Sequence, residues 1–178
     1  MPGTFYTIGH STRSSDEFVA LLTRFDVSLV VDVRRLPGSA RYPQFNQDRL
    51  QITLAQNGIE YLRIEQLTGR RGKDRLADPA TNAWWQNQSF HNYADWANGE
   101  SFAEGLNTLI ERAGERRAAI MCSEAVWWRC HRRIIADHLL AHDYTVVNII
   151  DEHHADPATL SPGAQVGSHG RVTYPARK

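Results

Sequence analysis

The apolar positions of this chain alternate between two kinds of pattern. Phe5-Tyr6-Thr7-Ile8-Gly9 is short, aromatic and β-branched, and reads as a strand. Phe18, Leu21, Leu22 and Phe25 then recur at helical spacing, behind Ser14 and Glu17 placed as a capping box. Ser28-Leu29-Val30-Val31-Asp32-Val33 is nearly continuous in apolar residues, as expected of a parallel strand covered on both faces. Arg34 to Phe45, with Pro37, Gly38 and Pro43, reads as a loop. Asn46 is placed to cap a helix carrying Leu50, Leu54 and Ala55 that stops at Asn57-Gly58. Ile59 to Ile64 reads as a third strand, and the polar stretch Gln66 to Asn82, centred on Gly69-Arg70-Arg71-Gly72, as a mobile loop. Helical spacing returns from about Asn92 to Arg112, with Gly99 as a candidate break. Ala118 to Met121 then predicts a strand, His131 to Ala141 a helix, and Thr145 to Ile150 a strand.

Strand and helix thus alternate along the chain. That order predicts an α/β fold: a single three-layer domain over 1–178, with a mainly parallel sheet of about five strands and helices on both faces. After Asp151 the chain turns to His, Pro, Ser and Gly, so 156–178 reads as a poorly packed tail with a short edge strand at Arg171 to Tyr174.

Composition narrows the picture. The 178 residues suffice for one full core, and 42% hydrophobic with 22% charged is ordinary for a globular protein. No apolar run approaches the length of a membrane span, and Met1-Pro2-Gly3-Thr4 lacks the basic and apolar stretches of a signal peptide, so a cytoplasmic location is expected. Two cysteines make no disulfide framework and are expected as free thiols. Net charge is zero, which removes any whole-molecule attraction to nucleic acid. The basic residues are 18 Arg against 2 Lys. A GC-rich genome would produce that bias; so would a use for planar guanidinium forks on phosphate or carboxylate.

Ligands of open parallel sheets bind outside the carboxyl ends of the strands. Polar and ionisable residues collect after each predicted strand: His10 and Ser11; Asp32, Arg34 and Arg41; Glu65, Arg70 and Arg71; then Cys122 to Arg133; then Asp151 to His154. The densest stretch is Cys122-Ser-Glu-Ala-Val-Trp-Trp-Arg-Cys130, followed by His131, Arg132 and Arg133. Cys122 ends a buried strand and faces a helix start, where backbone N–H groups and Arg129 or Arg132 would favour a thiolate; a small, inert core residue is the alternative. Cys130 fits a resolving thiol, a packing residue or a ligand. His131 and His10 are candidates to move protons, with Glu124 and Asp32 as further acid–base groups. Asp32 serves equally well as half of a buried ion pair. Arg34, Arg41, Arg129 and Arg132, with Ser11 and a stacking Trp128, are the expected substrate-binding set for an anion at a helix N-terminus. Neighbours Arg132 and Arg133 diverge on a helix, so they cannot easily serve one pocket. A metal held by Cys122, Cys130 and His131 is the weaker alternative, because the spacing is not that of a zinc knuckle.

The same segments carry a resemblance. Thr7-Ile8-Gly9-His10-Ser11-Thr12, Val31-Asp32-Val33-Arg34, Pro43-Gln44-Phe45-Asn46, Gly58-Ile59-Glu60-Tyr61, Met121-Cys122-Ser123-Glu124 and Arg129-Cys130-His131-Arg132 resemble the domain-of-unknown-function 488 family over roughly residues 4 to 155. The resemblance implies a single α/β domain and brings no established activity. Where that family usually shows an alanine and a proline in the cysteine loop, this chain has Ser123 and Trp127, so the loop lacks a stiffening proline. A more distant, fold-level likeness is to rhodanese-type folds, but six residues separate Cys122 from Arg129, without the tight five-residue, glycine-containing loop.

Three readings follow. The first is an enzyme that binds a phosphate-bearing ligand, a nucleotide or nucleic acid, with Cys122 as nucleophile or redox thiol. The second is a non-catalytic nucleic-acid-binding module using Arg70, Arg71, Arg75 and a tryptophan. The third is a metal-dependent enzyme using the Cys/His cluster. The sequence names no cofactor and no membrane partner.

Overall fold

The computed structural model describes residues 3–176. Five parallel strands form the centre of one sheet: β1 (Thr4–Gly9), β2 (Leu29–Asp32), β3 (Glu60–Arg63), β4 (Ala118–Cys122) and β5 (Thr145–Ile149). A sixth strand, β6 (Ala155–Pro157), adds antiparallel to β5, giving the order β3-β2-β4-β1-β5-β6. The helices are α1 (Ser15–Arg24), α2 (Gln47–Gln56), α3 (Gln88–Ala97), α4 (Glu100–Ala113) and α5 (Arg132–Ala141). The fold is therefore α/β, with helices around a mainly parallel sheet.

Side chains along a strand point alternately to the two faces. Tyr6, Ile8, Val30, Ala119 and Met121 accordingly pack with Phe18, Leu21 and Leu22 of α1 and Leu50 and Leu54 of α2. Phe5, Leu29, Val31, Ala118, Ile120 and Cys122 pack with Tyr93 of α3, Leu106 and Leu109 of α4 and Ile135 and Leu139 of α5. The last residue of β4 thus aims its sulfur at the α3–α5 face.

The capping box at α1 forms as the sequence implies, with Ser14 and Glu17 each accepting from the other's backbone N–H. Asn46 does not cap α2. Its side-chain oxygen instead accepts from the Ser39 N–H, tying the preceding loop to the helix start. The helical stretch expected from about Asn92 to Arg112 does break at Gly99, giving α3 and α4, and it starts four residues earlier, where the Asn87 side chain caps α3.

The largest departure is the segment after Asp151: most of it is exposed, yet Ser161, Gly163, Val172 and Tyr174 are buried and anchor it. It contributes β6 and a two-stranded ribbon, β7 (Gln165–Val166) with β8 (Val172–Thr173). Tyr174 is 0% exposed, and its hydroxyl donates to the buried Asp137 carboxylate at 2.7 Å. The Ser161 N–H donates to the other oxygen at 2.9 Å. Part of the polar stretch after Gln66 is equally fixed: Leu67, Thr68 and Asn82 are buried, and the Asn82 side chain meets Asp95, Asn98 and the Tyr174 N–H.

Candidate functional site

The strand order decides which loops meet. β4 lies between β1 and β2, so the chain segments leaving these three strands are neighbours at their carboxyl ends. The ladder continues past the strands: His10 N–H donates to Cys122 O at 2.9 Å, Ser11 N–H to Ser123 O at 3.1 Å, and Val33 N–H to Met121 O at 3.0 Å. Gly9 permits this approach, since a Cβ there would lie 1.7 Å from the Glu124 carbonyl oxygen. Arg13 closes the corner by donating to the Gly9 and Ile150 carbonyls. Above these strand ends opens a cavity of about 660 Å³. Cys122, Cys130, His131 and His10 line it, with Glu124, Arg34, Arg35, Arg70 and Arg129.

At the back of the cavity sits Cys122, buried, with two donors on its sulfur. The Arg132 guanidinium donates through Nη1 at 2.8 Å, and the Cys130 thiol lies at 2.8 Å between sulfurs. Arg132 is 0% exposed and forms no ion pair with a carboxylate among the described residues. Its other partners are the carbonyls of Glu124 and Ala125, and its Nε has none. A buried guanidinium demands a negative partner, and Cys122 is the group in contact that can supply one. Burial acts to raise the Cys122 pKa; the Cys130 S–H and the Arg132 charge outweigh it and bring the thiol down to about 7. Cys130 moves the other way, pushed well up by burial and by the neighbouring Cys122. These opposite shifts favour the proton on Cys130 and, above about pH 7, the negative charge on Cys122.

His131 Nε2 lies 3.1 Å from the Val33 carbonyl and donates to it, which leaves Nδ1 as an acceptor, 3.6 Å from Cys130 Sγ. Burial lowers its pKa to about 4, so the ring is neutral at pH 7. It rests against Tyr93, and Gly69 makes room for it: a Cβ there would fall 2.7 Å from Nδ1. His10 is also neutral, lowered to about 4 chiefly by burial. Its Nδ1 donates to Ser11 O at 2.9 Å, its Nε2 faces Arg34 Nη1 at 3.3 Å, and its ring stacks on Phe45. Both ring nitrogens of His10 are therefore engaged.

Asp32 lies on the opposite side of the sheet from Cys122, as strand alternation requires. Its carboxylate accepts from Arg34 Nε at 2.9 Å, Arg34 Nη2 at 2.8 Å and the Tyr61 hydroxyl at 2.6 Å. Arg34 also donates to the Phe45 carbonyl. This is the buried ion pair weighed in the sequence; each Asp32 oxygen already accepts two bonds, while Arg34, which reaches the cavity wall, keeps one Nη2 N–H without a partner among the described residues.

The remaining candidates divide. Arg129 and Glu124 line the cavity and are exposed, and Ser123 stands beside them. Ser11, Arg41 and Trp128 do not line it; Arg41 lies against Tyr42, and Trp128, 45% exposed, meets Trp127 edge to face. Arg132 does not line the cavity; its guanidinium lies against the Cys122 sulfur behind it. Arg133 turns to Ser161 and the Trp84, Trp85 and Trp127 rings. The helix end serves sulfur too, since the Arg132 N–H points at Cys130 Sγ at 3.5 Å. Three arginines within five residues thus have three separate destinations. Among the described residues no group of three or more His, Cys, Asp and Glu is arranged to hold a metal ion, and His131 turns one nitrogen away to Val33.

Some lining residues were not singled out from the sequence. Asn87, Ser89, Phe90 and Tyr93 come from the start of α3, whose only signal was helical spacing. Arg35 pairs with Glu65 at 3.5 Å, whereas Arg70 and Arg129 have no side-chain ion pair or hydrogen bond among the described residues. A second cleft, of about 380 Å³, adjoins the first through Arg35 and Arg70 and adds Arg71, Lys73 and Trp96.

A family model described as a domain of unknown function, DUF488, matches residues 14–139. The chain belongs to the DUF488 family. No curated protein and no solved structure matches it. The DUF488 match spans α1 to α5, so it includes the Asp32–Arg34 pair, the Cys122–Cys130 pair and Arg132, and excludes β5 and the packed segment after it. Among the described residues no helix is long and apolar enough to cross a membrane.

Proposed function

We propose that this DUF488 protein is an enzyme that binds a phosphate-bearing ligand, a nucleotide or nucleic acid, at the strand ends and attacks it with the Cys122 thiolate. One observation carries the reading: Arg132, fully buried and without a carboxylate partner, donates to Cys122 Sγ at 2.8 Å. Such a pairing keeps a sulfur anionic near neutral pH. The unpaired Arg70 and Arg129 guanidiniums at the cavity are suited to a phosphate through planar, paired donors. In the reaction the sulfur adds to an electrophilic centre of the bound ligand, and the leaving group departs with the bonding electron pair. The Cys130 thiol is the nearest proton for it.

Alkylation by iodoacetamide across pH tests the nucleophile. The expected inflection for Cys122 is near 7. Inorganic phosphate or AMP is expected to slow alkylation, and Arg70→Ala with Arg129→Ala to abolish that protection without changing the inflection. An inflection at the ordinary thiol value refutes the nucleophile. Unaltered alkylation in the presence of both anions refutes phosphate binding.

The adjoining cleft favours a second reading, a binding surface for a longer nucleic acid without turnover. Arg35, Arg70, Arg71 and Lys73 would track a phosphate backbone there. This reading predicts binding that falls steeply with salt and survives Cys122→Ser.

A further inference from the structure

We infer that Cys130 is a resolving thiol and that the cavity takes small disulfides bearing carboxylates, which the Cys122–Cys130 pair reduces by thiol–disulfide exchange. The inference rests on the Cys122 thiolate of the preceding section and adds a second kind of substrate to the same sulfur. What points to it is the sulfur-to-sulfur separation of 2.8 Å, inside the contact distance of two unbonded sulfurs and within ~1 Å of the ~2.05 Å disulfide bond. Both cysteines are free, and both line the cavity.

The arrangement separates the roles that exchange requires. An attacking sulfur works best with a pKa near ambient pH, and the resolving sulfur must stay protonated until the mixed disulfide exists. The Cys122 thiolate attacks one sulfur of the substrate R–S–S–R, forming Cys122–S–S–R and releasing R–S⁻. Cys130 then loses its proton to that departing thiolate and attacks Cys122 Sγ, forming the Cys122–Cys130 bond and releasing the second R–S⁻. The substrate gains two electrons and becomes one R–SH and one R–S⁻, while the thiolate–thiol pair becomes a disulfide. Once the sulfur anion is consumed, Arg132 is left facing a neutral disulfide. Carboxylates on R are selected by Arg70 and Arg129, whose guanidiniums stand free at the cavity.

The test uses the full-length reduced protein with dithiodipropionate, which carries a carboxylate on each half, and with the neutral hydroxyethyl disulfide. Intact mass should fall by two hydrogens with no retained adduct, and both thiols should be lost together. Cys130→Ser should trap the propionate half on Cys122, and Cys122→Ser should react at neither position. The anionic disulfide is expected to react about tenfold faster than the neutral one at low salt, a difference that Arg70→Ala with Arg129→Ala removes. Equal adduct retention in wild type and Cys130→Ser refutes the resolving role. Equal rates for the two disulfides refute the carboxylate preference. A Cys122 that alkylates with an inflection near 7 yet is inert to both disulfides overturns this inference alone, while a Cys122 unreactive to iodoacetamide overturns the proposed nucleophile and this inference with it.

Discussion

Replacing Arg132 by Met removes the charge that faces Cys122 and keeps most of the side chain's volume. The sulfur then loses its strongest cationic contact, at 2.8 Å, while burial, which raises its pKa, remains. With the Cys130 S–H still in place and the guanidinium gone, a thiol that titrates at about 7 should move up, and a return to the ordinary 9.0 is the full effect. Two pH units correspond to about 2.7 kcal/mol. At pH 7 the anionic fraction falls from about one half to about 1%, a ~50-fold loss. Nucleophilicity partly offsets it, because a more basic thiolate attacks faster; with a Brønsted slope of about 0.4–0.5 the gain is ~8-fold. The net expectation is alkylation about sixfold slower than wild type at pH 7 and about sixfold faster near pH 9.5. The crossing of the two rate profiles is the diagnostic, since mere loosening of the site would speed the reaction at every pH. Rates of iodoacetamide incorporation at Cys122, read by peptide mass across that range, make the measurement. An inflection that stays near 7 in Arg132→Met refutes the charge argument.

Acidification should destabilise the fold. His10 and His131 are lowered to about 4 and His138 to about 3, each chiefly by burial, so the unfolded chain binds more protons below about pH 6.5 and stability falls as pH drops toward 4. By pH 5 each contributes a loss of at most about 2 kcal/mol, to be seen as a lower urea midpoint; a midpoint unchanged from pH 7 to pH 5 rejects the neutral assignments. Gly9→Ala places a Cβ against the Glu124 carbonyl and Arg132 Nη1, and should cost about 1–3 kcal/mol while raising the Cys122 inflection; a wild-type thermal midpoint refutes the close approach. Tyr174→Phe leaves one Asp137 oxygen without its donor, an expected loss of about 1–3 kcal/mol in urea unfolding, and full retention of stability shows that the hydroxyl is not needed there. Arg34→Met strands the buried Asp32 carboxylate and should cost about 3–5 kcal/mol, against a smaller loss for Arg132→Met, whose partner can become neutral by taking up a proton; equal losses by circular dichroism melting contradict that difference.

Most of the scaffold was readable because its signals are local. Leu29 to Asp32 and Ala118 to Cys122 have the continuous apolar character of strands buried on both faces, and Ser14 with Glu17 fixes the start of α1. The gathering of chemistry at the strand ends was also readable, since it follows from where loops leave a parallel sheet. An Arg34–Asp32 pair and an arginine beside Cys122 were both weighed; which of Arg129, Arg132 and Arg133 turns inward was not decided. One clue was present: Arg132, Ile135, Ala136 and Leu139 stand at i, i+3, i+4 and i+7, and all four are buried. A charge on that stripe announces an inward guanidinium, whereas Arg133 lies off it. Asp32 carried a comparable clue. In the register, Asp32 is opposite Met121, one residue before Cys122, so the carboxylate and the sulfur belong to opposite faces. The packing of the segment after Asp151 had no local sign, because its anchor is Asp137, a carboxylate on a distant helix that waits for Ser161 and Tyr174.

The two buried arginines near the strand ends show how one residue type yields structure in one place and reactivity in another. Arg34 meets a carboxylate through two side-chain donors, 2.9 and 2.8 Å long. With the Tyr61 hydroxyl on the same carboxylate and the Phe45 carbonyl on the same guanidinium, the pair braces the β2 exit. Arg132 meets a sulfur. A sulfur's negative charge is conditional: it vanishes on protonation, on alkylation and on disulfide formation, and each of these leaves the guanidinium buried and unbalanced. The fold therefore holds a charge whose partner can be chemically consumed, and the consumption must be reversed for Arg132 to regain its balance. The proposed function uses that dependence, since a carboxylate at 122 would balance Arg132 but leave no thiolate to attack. Placing cysteine there, with a second protonated cysteine 2.8 Å away and a cavity opening above both, ties the electrostatic balance of the interior to the chemical state of one sulfur.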